Sequence, residues 1–180
     1  MHPVLRRLRQ DHDNLARLLD LLEQQLDQFH AGEEPVYELM CEMLEYIEGY
    51  AEQVHHPTEE TVLKAILEQD PEHRPAIEAL LKQHDTLGAM AKVFRQMLEG
   101  IVHGDVFPRN EVETAGRDFL SLQRQHLKVE NEEVLPRAMK MLDETTWRSI
   151  EERVPSEDDP LFGTEDSGRF RTLYQHLMGG

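Results

Sequence analysis

Apolar residues recur at helical steps through the first part of the chain: Leu5, Leu8, Leu15, Leu19, Leu22, Leu26 and Phe29, with His12 in the same row. Such a row is one face of a long amphipathic helix. It stops where Ala31-Gly32 and Pro35 supply a C-terminal glycine and a breaker. A second row runs through Met40, Met43, Ile47, Ala51, Val54, Val62 and Ile66 to Asp70-Pro71. Pro57 lies inside it, which predicts a kink or local break. The third begins at Pro75, a first-turn proline, and carries Ile77, Leu80, His84, Leu87, Ala91, Phe94, Leu98 and Ile101. Beyond the loop marked by Gly100, Gly104 and Pro108, a fourth carries Val112, Phe119, Leu122, His126, Val134, Ala138 and Met141, with Pro136 as a second irregularity.

Four such rows joined by short loops predict an all-α fold, an up-down-up-down four-helix bundle over residues 1–143. Residues 144–180 read as a C-terminal tail. In it Trp147, Ile150 and Val154 predict a short helix, Pro155 to Gly168 an acidic loop, and Phe170, Leu173, Tyr174 and Leu177 a last helix packed on the bundle. With 19 Lys+Arg against 36 Asp+Glu, the net charge of −17 repels phosphate backbones and argues against nucleic acid as a partner. No apolar run approaches the roughly 20 residues of a membrane span. Met1 is followed at once by Arg6, Arg7 and Arg9 rather than by a signal-peptide core, so the expected compartment is the cytoplasm. Cys41 is the only cysteine, which excludes an intrachain disulfide and cysteine-based metal sites. It reads as a small, partly buried hydrophobe, and Met40, Met43, Met90, Met97, Met139 and Met141 as core filler. The sequence holds no Gly-rich phosphate loop and no placed nucleophilic triad.

The ten histidines change the picture. His12, His84 and His126 each occupy a position where the apolar row calls for a leucine. A histidine there must find hydrogen-bond or metal partners, because burying it unpaired is costly. The second helix offers His55-His56-Pro57-Thr58-Glu59-Glu60, with two pairings one turn apart. Counted at about 100° per residue from Ile47, His55 and Glu59 fall at roughly 80° and 120°, on the flank of the apolar face. His56 and Glu60 fall at roughly 180° and 220° and point away. In the fourth helix His126 and Glu130 straddle the middle of the face, so Glu130 is a carboxylate where burial is expected, and a cation is its simplest remedy. Depth agrees with phase. Counted from loop midpoints at about 33, 70 and 105, the histidines of adjoining helices lie nearly equally far from their shared turn, so all four imidazoles reach one level.

Four imidazoles and two carboxylates suit first-row transition metals and are too many for one tetrahedral zinc. They fit two metals bridged by Glu59 and Glu130, with two histidines on each. For roughly six-coordinate irons with an oxo or hydroxo bridge, about two positions stay open, the setting in which dioxygen reacts. A mononuclear site or a di-zinc site remains an alternative.

The order lone His, His-x-x-x-Glu, lone His, His-x-x-x-Glu resembles the hemerythrin-like HHE cation-binding family over about residues 5–142. Glu130 to Pro136 is similar to that family's acidic, apolar, proline ending, and aligning the two halves on it sets Glu59 opposite Glu130. The first half departs from the ending, with Leu63-Lys64-Ala65 in its place. The resemblance implies a non-heme di-iron centre of two iron ions, oxo- or hydroxo-bridged. His12, His55, His84 and His126 would be terminal ligands, with Glu59 and Glu130 as bridges. Oxygen-carrying members have five histidines. Here His56 points outward, His73 and His103 sit near loops, and His2, His30 and His176 read as exposed with them. Tyr46 and Tyr50 lie at the opposite edge of the face, where Tyr50 is either core packing or a phenolate ligand. An extra open position favours sensing or redox chemistry over reversible oxygen carriage. The implied function is binding of a small diatomic ligand (dioxygen or nitric oxide) or peroxide, in sensing or in protection against oxidative or nitrosative stress. A redox partner is implied if the centre cycles. Iron storage or donation and iron–sulfur cluster repair are alternatives, although repair proteins typically carry an added N-terminal segment with reactive cysteines, whereas here His12 lies near the start and Cys41 is the sole thiol. A metal-free helical interaction module is the rival from another class. Whether the protein is an enzyme stays open.

Overall fold

The computed structural model describes residues 1–163 and 168–178, and their regular structure is entirely helical. Helix α1 spans Pro3–His30 and α2 spans Tyr37–Tyr46, which runs into a π-helical stretch, Ile47–His55, and then α3, His56–Gln69. A 3₁₀ turn at Pro71–His73 leads into α4, Arg74–Val102. Helix α5, Arg109–Val129, continues through a second π stretch, Glu130–Val134, into α6, Leu135–Met141. The short helices α7, Glu144–Glu151, and α8, Arg171–Met178, follow, the latter behind a 3₁₀ turn at Gly168–Phe170. No described helix is long and apolar enough to cross a membrane.

The helix ends follow from local chemistry. The His2 ring accepts the Val4 N–H at 3.4 Å, and Pro3 opens α1 where no amide is needed. Gly32, at φ 83°, takes the left-handed conformation beyond the end of α1. Pro75 lies in the first turn of α4, and Asp143 caps α7 by accepting the Thr146 N–H at 2.8 Å.

The two internal prolines behave differently from a simple kink. Pro57 and Pro136 each lie in the first turn after a π stretch. A helical proline lacks an N–H and its ring meets the carbonyl four residues back. Those carbonyls belong to Gln53 and Glu132, both within the π stretches, where wider i→i+5 turns relieve the clash without breaking the helix. The expected break at Pro57 is therefore a change of helical pitch ahead of it.

The apolar rows pack into two compartments. One collects Leu15 to Phe29 of α1 with Met40, Met43, Tyr46, Leu87, Phe94 and Phe119. The other collects Val4, Leu5 and Leu8 with Val62, Ile66, Ile77, Leu80, Leu135 and Ala138. Tail residues complete both: Leu161, Phe170 and Leu173 join the first, and Trp147 and Ile150 the second. Burying each of these large side chains contributes roughly 1.5–3 kcal/mol before chain entropy is counted. Val154 lies beyond α7 and packs at the edge of the second compartment. The stretch from Pro155 to Gly163 forms no helix, and residues 164–167 of the expected loop lie outside the described residues. Cys41 is half-buried against the first compartment, and burial pushes its thiol up to about 11. Of the methionines expected as filler, Met139 is instead exposed.

Candidate metal centre

On each long helical stretch the buried histidines and glutamates fall in sequence near where the two apolar compartments meet. His12 lies between Leu8 and Leu15, and His84 between Leu80 and Leu87. His55 and Glu59 lie between Val54 and Val62, and Glu130 lies between Leu127 and Leu135, with His126 just ahead of Leu127. All six are buried, none more than 3% exposed. Two groups of donor atoms converge there, each within 4.8 Å: His12, His55 and Glu59 in one, His56, Glu59, His84 and His126 in the other. Glu59 belongs to both. Its Oε1 lies 2.8 Å from His12 Nε2 and 3.3 Å from His55 Nε2, while its Oε2 lies 3.5 Å from His84 Nε2. Glu130 stands across the same space, 3.4 Å from His12 Nε2, 3.6 Å from His84 Nε2 and 3.2 Å from His126 Nε2.

His56 departs from its expected outward position. It is 4% exposed, stacks on His84 with ring centroids 4.0 Å apart, and joins the second donor group. The cause is the π stretch. With i→i+5 turns each residue advances less than the 100° of an α-helix, and over Ile47–His55 the lag swings His56 inward beside His55. Beside Glu52, on α4, is Gly88, where a Cβ would lie 2.8 Å from Glu52 Oε2. The missing side chain leaves room for the Glu52 carboxylate, whose Oε1 lies 3.4 Å from His56 Nδ1. Glu60 stays at the rim, paired with Lys64 and 3.8 Å from His84 Nδ1.

Most of the imidazoles are backed on the far nitrogen. His55 Nδ1 donates to Asp11 at 3.0 Å, His12 Nδ1 to Asn131 at 2.9 Å and His126 Nδ1 to Gln83 at 3.0 Å. A ring that donates through Nδ1 presents a bare Nε2 lone pair to the centre, and such backing is typical of metal-binding histidines. Tyr50 donates to the other Asp11 oxygen at 3.3 Å, so its hydroxyl supports Asp11. Burial and the Asp11 charge push the phenol up to about 12. His2 is not solvent-exposed: its ring stacks on Trp147 at 5.0 Å. His30, His103 and His176 are exposed, and His73 is partly so.

The electrostatics call for positive charge. Both Glu130 oxygens and Glu59 Oε2 are buried without a hydrogen-bond partner. Unpartnered buried carboxylates are among the costliest groups a fold can hold. Burial disfavours a charged imidazole, yet the Glu59 charge and the Asp11 hydrogen bond outweigh it and lift His55 to about 10. Burial likewise opposes the charged form of His84, but contacts with Glu130 and Glu59 raise it to about 9. Burial opposes ionisation of Glu59, and the surrounding imidazoles nevertheless hold it well below the usual carboxylate range. His56 goes the other way, lowered chiefly by burial. Buried imidazole and carboxylate donors around unpaired oxygens fit a first-row transition metal.

The family model described as the hemerythrin HHE cation binding domain matches residues 4–138, most of the chain and every donor named above. No curated protein matches the chain.

Proposed function

The chain belongs to the hemerythrin HHE cation-binding domain family, and from that membership we propose that it is a non-heme di-iron protein. Its ligand is dioxygen, nitric oxide or peroxide, and its role is sensing or protection against oxidative and nitrosative stress. The metal-holding unit is an up-down-up-down four-helix bundle of residues 1–143, and residues 144–180 are a tail that completes its core. The observation that carries this reading is the sharing of Glu59 between two donor groups. His12, His55 and Glu59 would hold one iron, and His56, His84, His126 and Glu59 the other. Glu130, with both oxygens buried and unpartnered, would be a further ligand.

Bound there, iron supplies a redox-active Lewis acid for small ligands. The chain's own residues do the rest. Asp11, Asn131 and Gln83 fix which imidazole nitrogen faces inward. The two apolar compartments keep bulk water from the layer. His56 would add a fifth imidazole to the four anticipated and leave one fewer open position. The coordination argument for redox chemistry over reversible binding loses its basis accordingly. A metal-free interaction module is disfavoured, since it leaves three buried carboxylate oxygens unpartnered.

Elemental analysis of protein from iron-supplied cells tests the reading, together with an anaerobic absorption spectrum repeated after air is admitted. Two irons per chain and a ferric charge-transfer band that bleaches on reduction are expected. Stoichiometric zinc, or no metal, refutes it.

A further inference from the structure

Three of the five clustered imidazoles have a partner on Nδ1: His12 has Asn131, His55 has Asp11 and His126 has Gln83. His56 and His84 have none, although both of their Nδ1 atoms are buried. A buried polar atom left unpaired is costly, so each ring calls for a partner. Beside His84 Nδ1 the carboxylate is Glu60, 3.8 Å away and paired with Lys64 at the rim. Beside His56 Nδ1 it is Glu52, one turn earlier in the π stretch, whose Oε1 lies 3.4 Å away. That oxygen is itself buried and without a hydrogen-bond partner. Two complementary buried atoms, both unpartnered, thus face one another just beyond hydrogen-bond length.

The neighbouring helix makes room for this pair at one position. Gly88 lies in the middle of α4, where glycine is a poor helix former, and its backbone is not in the left-handed region that would call for one. Its use there is space. A Cβ at residue 88 would lie 2.8 Å from Glu52 Oε2, 3.0 Å from Cδ and 3.1 Å from Oε1. All three atoms are the far end of a flexible side chain, so a methyl group would turn the carboxylate aside and leave the helix intact. The bare position at 88 therefore keeps the Glu52 carboxylate against the His56 ring.

We propose that Glu52 is the positioning residue of His56: its carboxylate accepts the His56 Nδ1–H, leaves Nε2 as the bare donor of the ring, and keeps its place because residue 88 carries no side chain. This rests on the reading that His56 joins a metal site, and it adds what makes that imidazole a strong donor, since a carboxylate behind the ring fixes its tautomer and raises its basicity. The pitch of Ile47–His55 brings His56 inward, and Glu52 with Gly88 sets which nitrogen it offers.

Imidazole NMR tests the contact without any metal. In the metal-free full chain, long-range ¹H–¹⁵N spectra should place the His56 proton on Nδ1. Glu52→Ala should lose that preference. So should Gly88→Ala, which keeps Glu52 in the chain but displaces its carboxylate; alanine is the better helix former, so this variant should melt no lower than the parent. Glu52→Gln, whose amide oxygen still accepts, should restore the tautomer. Cobalt(II), which suits imidazole and carboxylate donors, then probes affinity in competition with a chelator. Glu52→Ala and Gly88→Ala should each weaken one of two bound equivalents about 10–100-fold, with Glu52→Gln between them and the parent. The double variant should bind no more weakly than either single one, because both changes remove the same contact. An unchanged His56 tautomer in Glu52→Ala overturns the proposal. So do additive losses in the double variant, or equal weakening of both equivalents. If the parent binds no cobalt, the metal-centre reading fails while the tautomer still decides whether Glu52 positions His56.

Discussion

The two His-x-x-x-Glu segments look alike in sequence and differ in structure. In the first, the π stretch Ile47–His55 precedes Pro57 and ends at the histidines, so the changed pitch brings in both His55 and His56. In the second, the π stretch Glu130–Val134 begins only at the glutamate. His126 is then the last donor before the change, and its neighbour Leu127 is a core residue. The carboxylates differ in consequence. Glu59 is shared by both tight donor groups, whereas Glu130 belongs to neither and faces both from across the layer. Where the pitch changes relative to a motif decides how many donors that motif delivers.

Glu59→Ala should have the largest effect, abolishing iron loading as read by elemental analysis, because it removes the donor common to both groups. Glu130→Ala should lower the iron content and leave a measurable fraction bound. Equal losses from the two variants would erase the distinction between the segments. His56→Ala comes next: it should remove the iron held with His84 and His126 and leave one per chain on His12, His55 and Glu59. Retention of both irons would return His56 to a packing role. Asp11→Asn keeps the size of the group that backs His55 but removes its charge. Competition with a chelator should show iron affinity weakened about 10–100-fold, the usual scale for such backing groups. Glu60→Gln should do least, leaving the iron content unchanged and stability within about 0.5 kcal/mol, since this side chain sits at the rim.

How much of this the sequence discloses depends on the kind of signal. His12, His84 and His126 are legible because an imidazole in an apolar row has few explanations, and each is buried. Asp11 carries the same signal on the adjoining row, Leu8, Leu15, Leu18 and Leu22, where an apolar residue is due and a carboxylate stands 4% exposed. That row was open to the same reasoning. His56 is different: a fixed 100° per residue sends it outward, and only the pitch of Ile47–His55 turns it in. Pro57 marks an irregularity there without revealing whether the helix breaks or widens. Asn131 and Gln83 leave no sequence signal, since an amide on the exposed or half-buried side of a helix looks like any surface residue.

X-ray absorption on the iron-loaded protein addresses the shared carboxylate most directly. A pair of irons bridged by Glu59 should show iron–iron scattering at a separation of no more than about 4 Å, and the signal should vanish in Glu59→Ala. Iron bound without that scattering, or scattering that persists after Glu59 is removed, would contradict it.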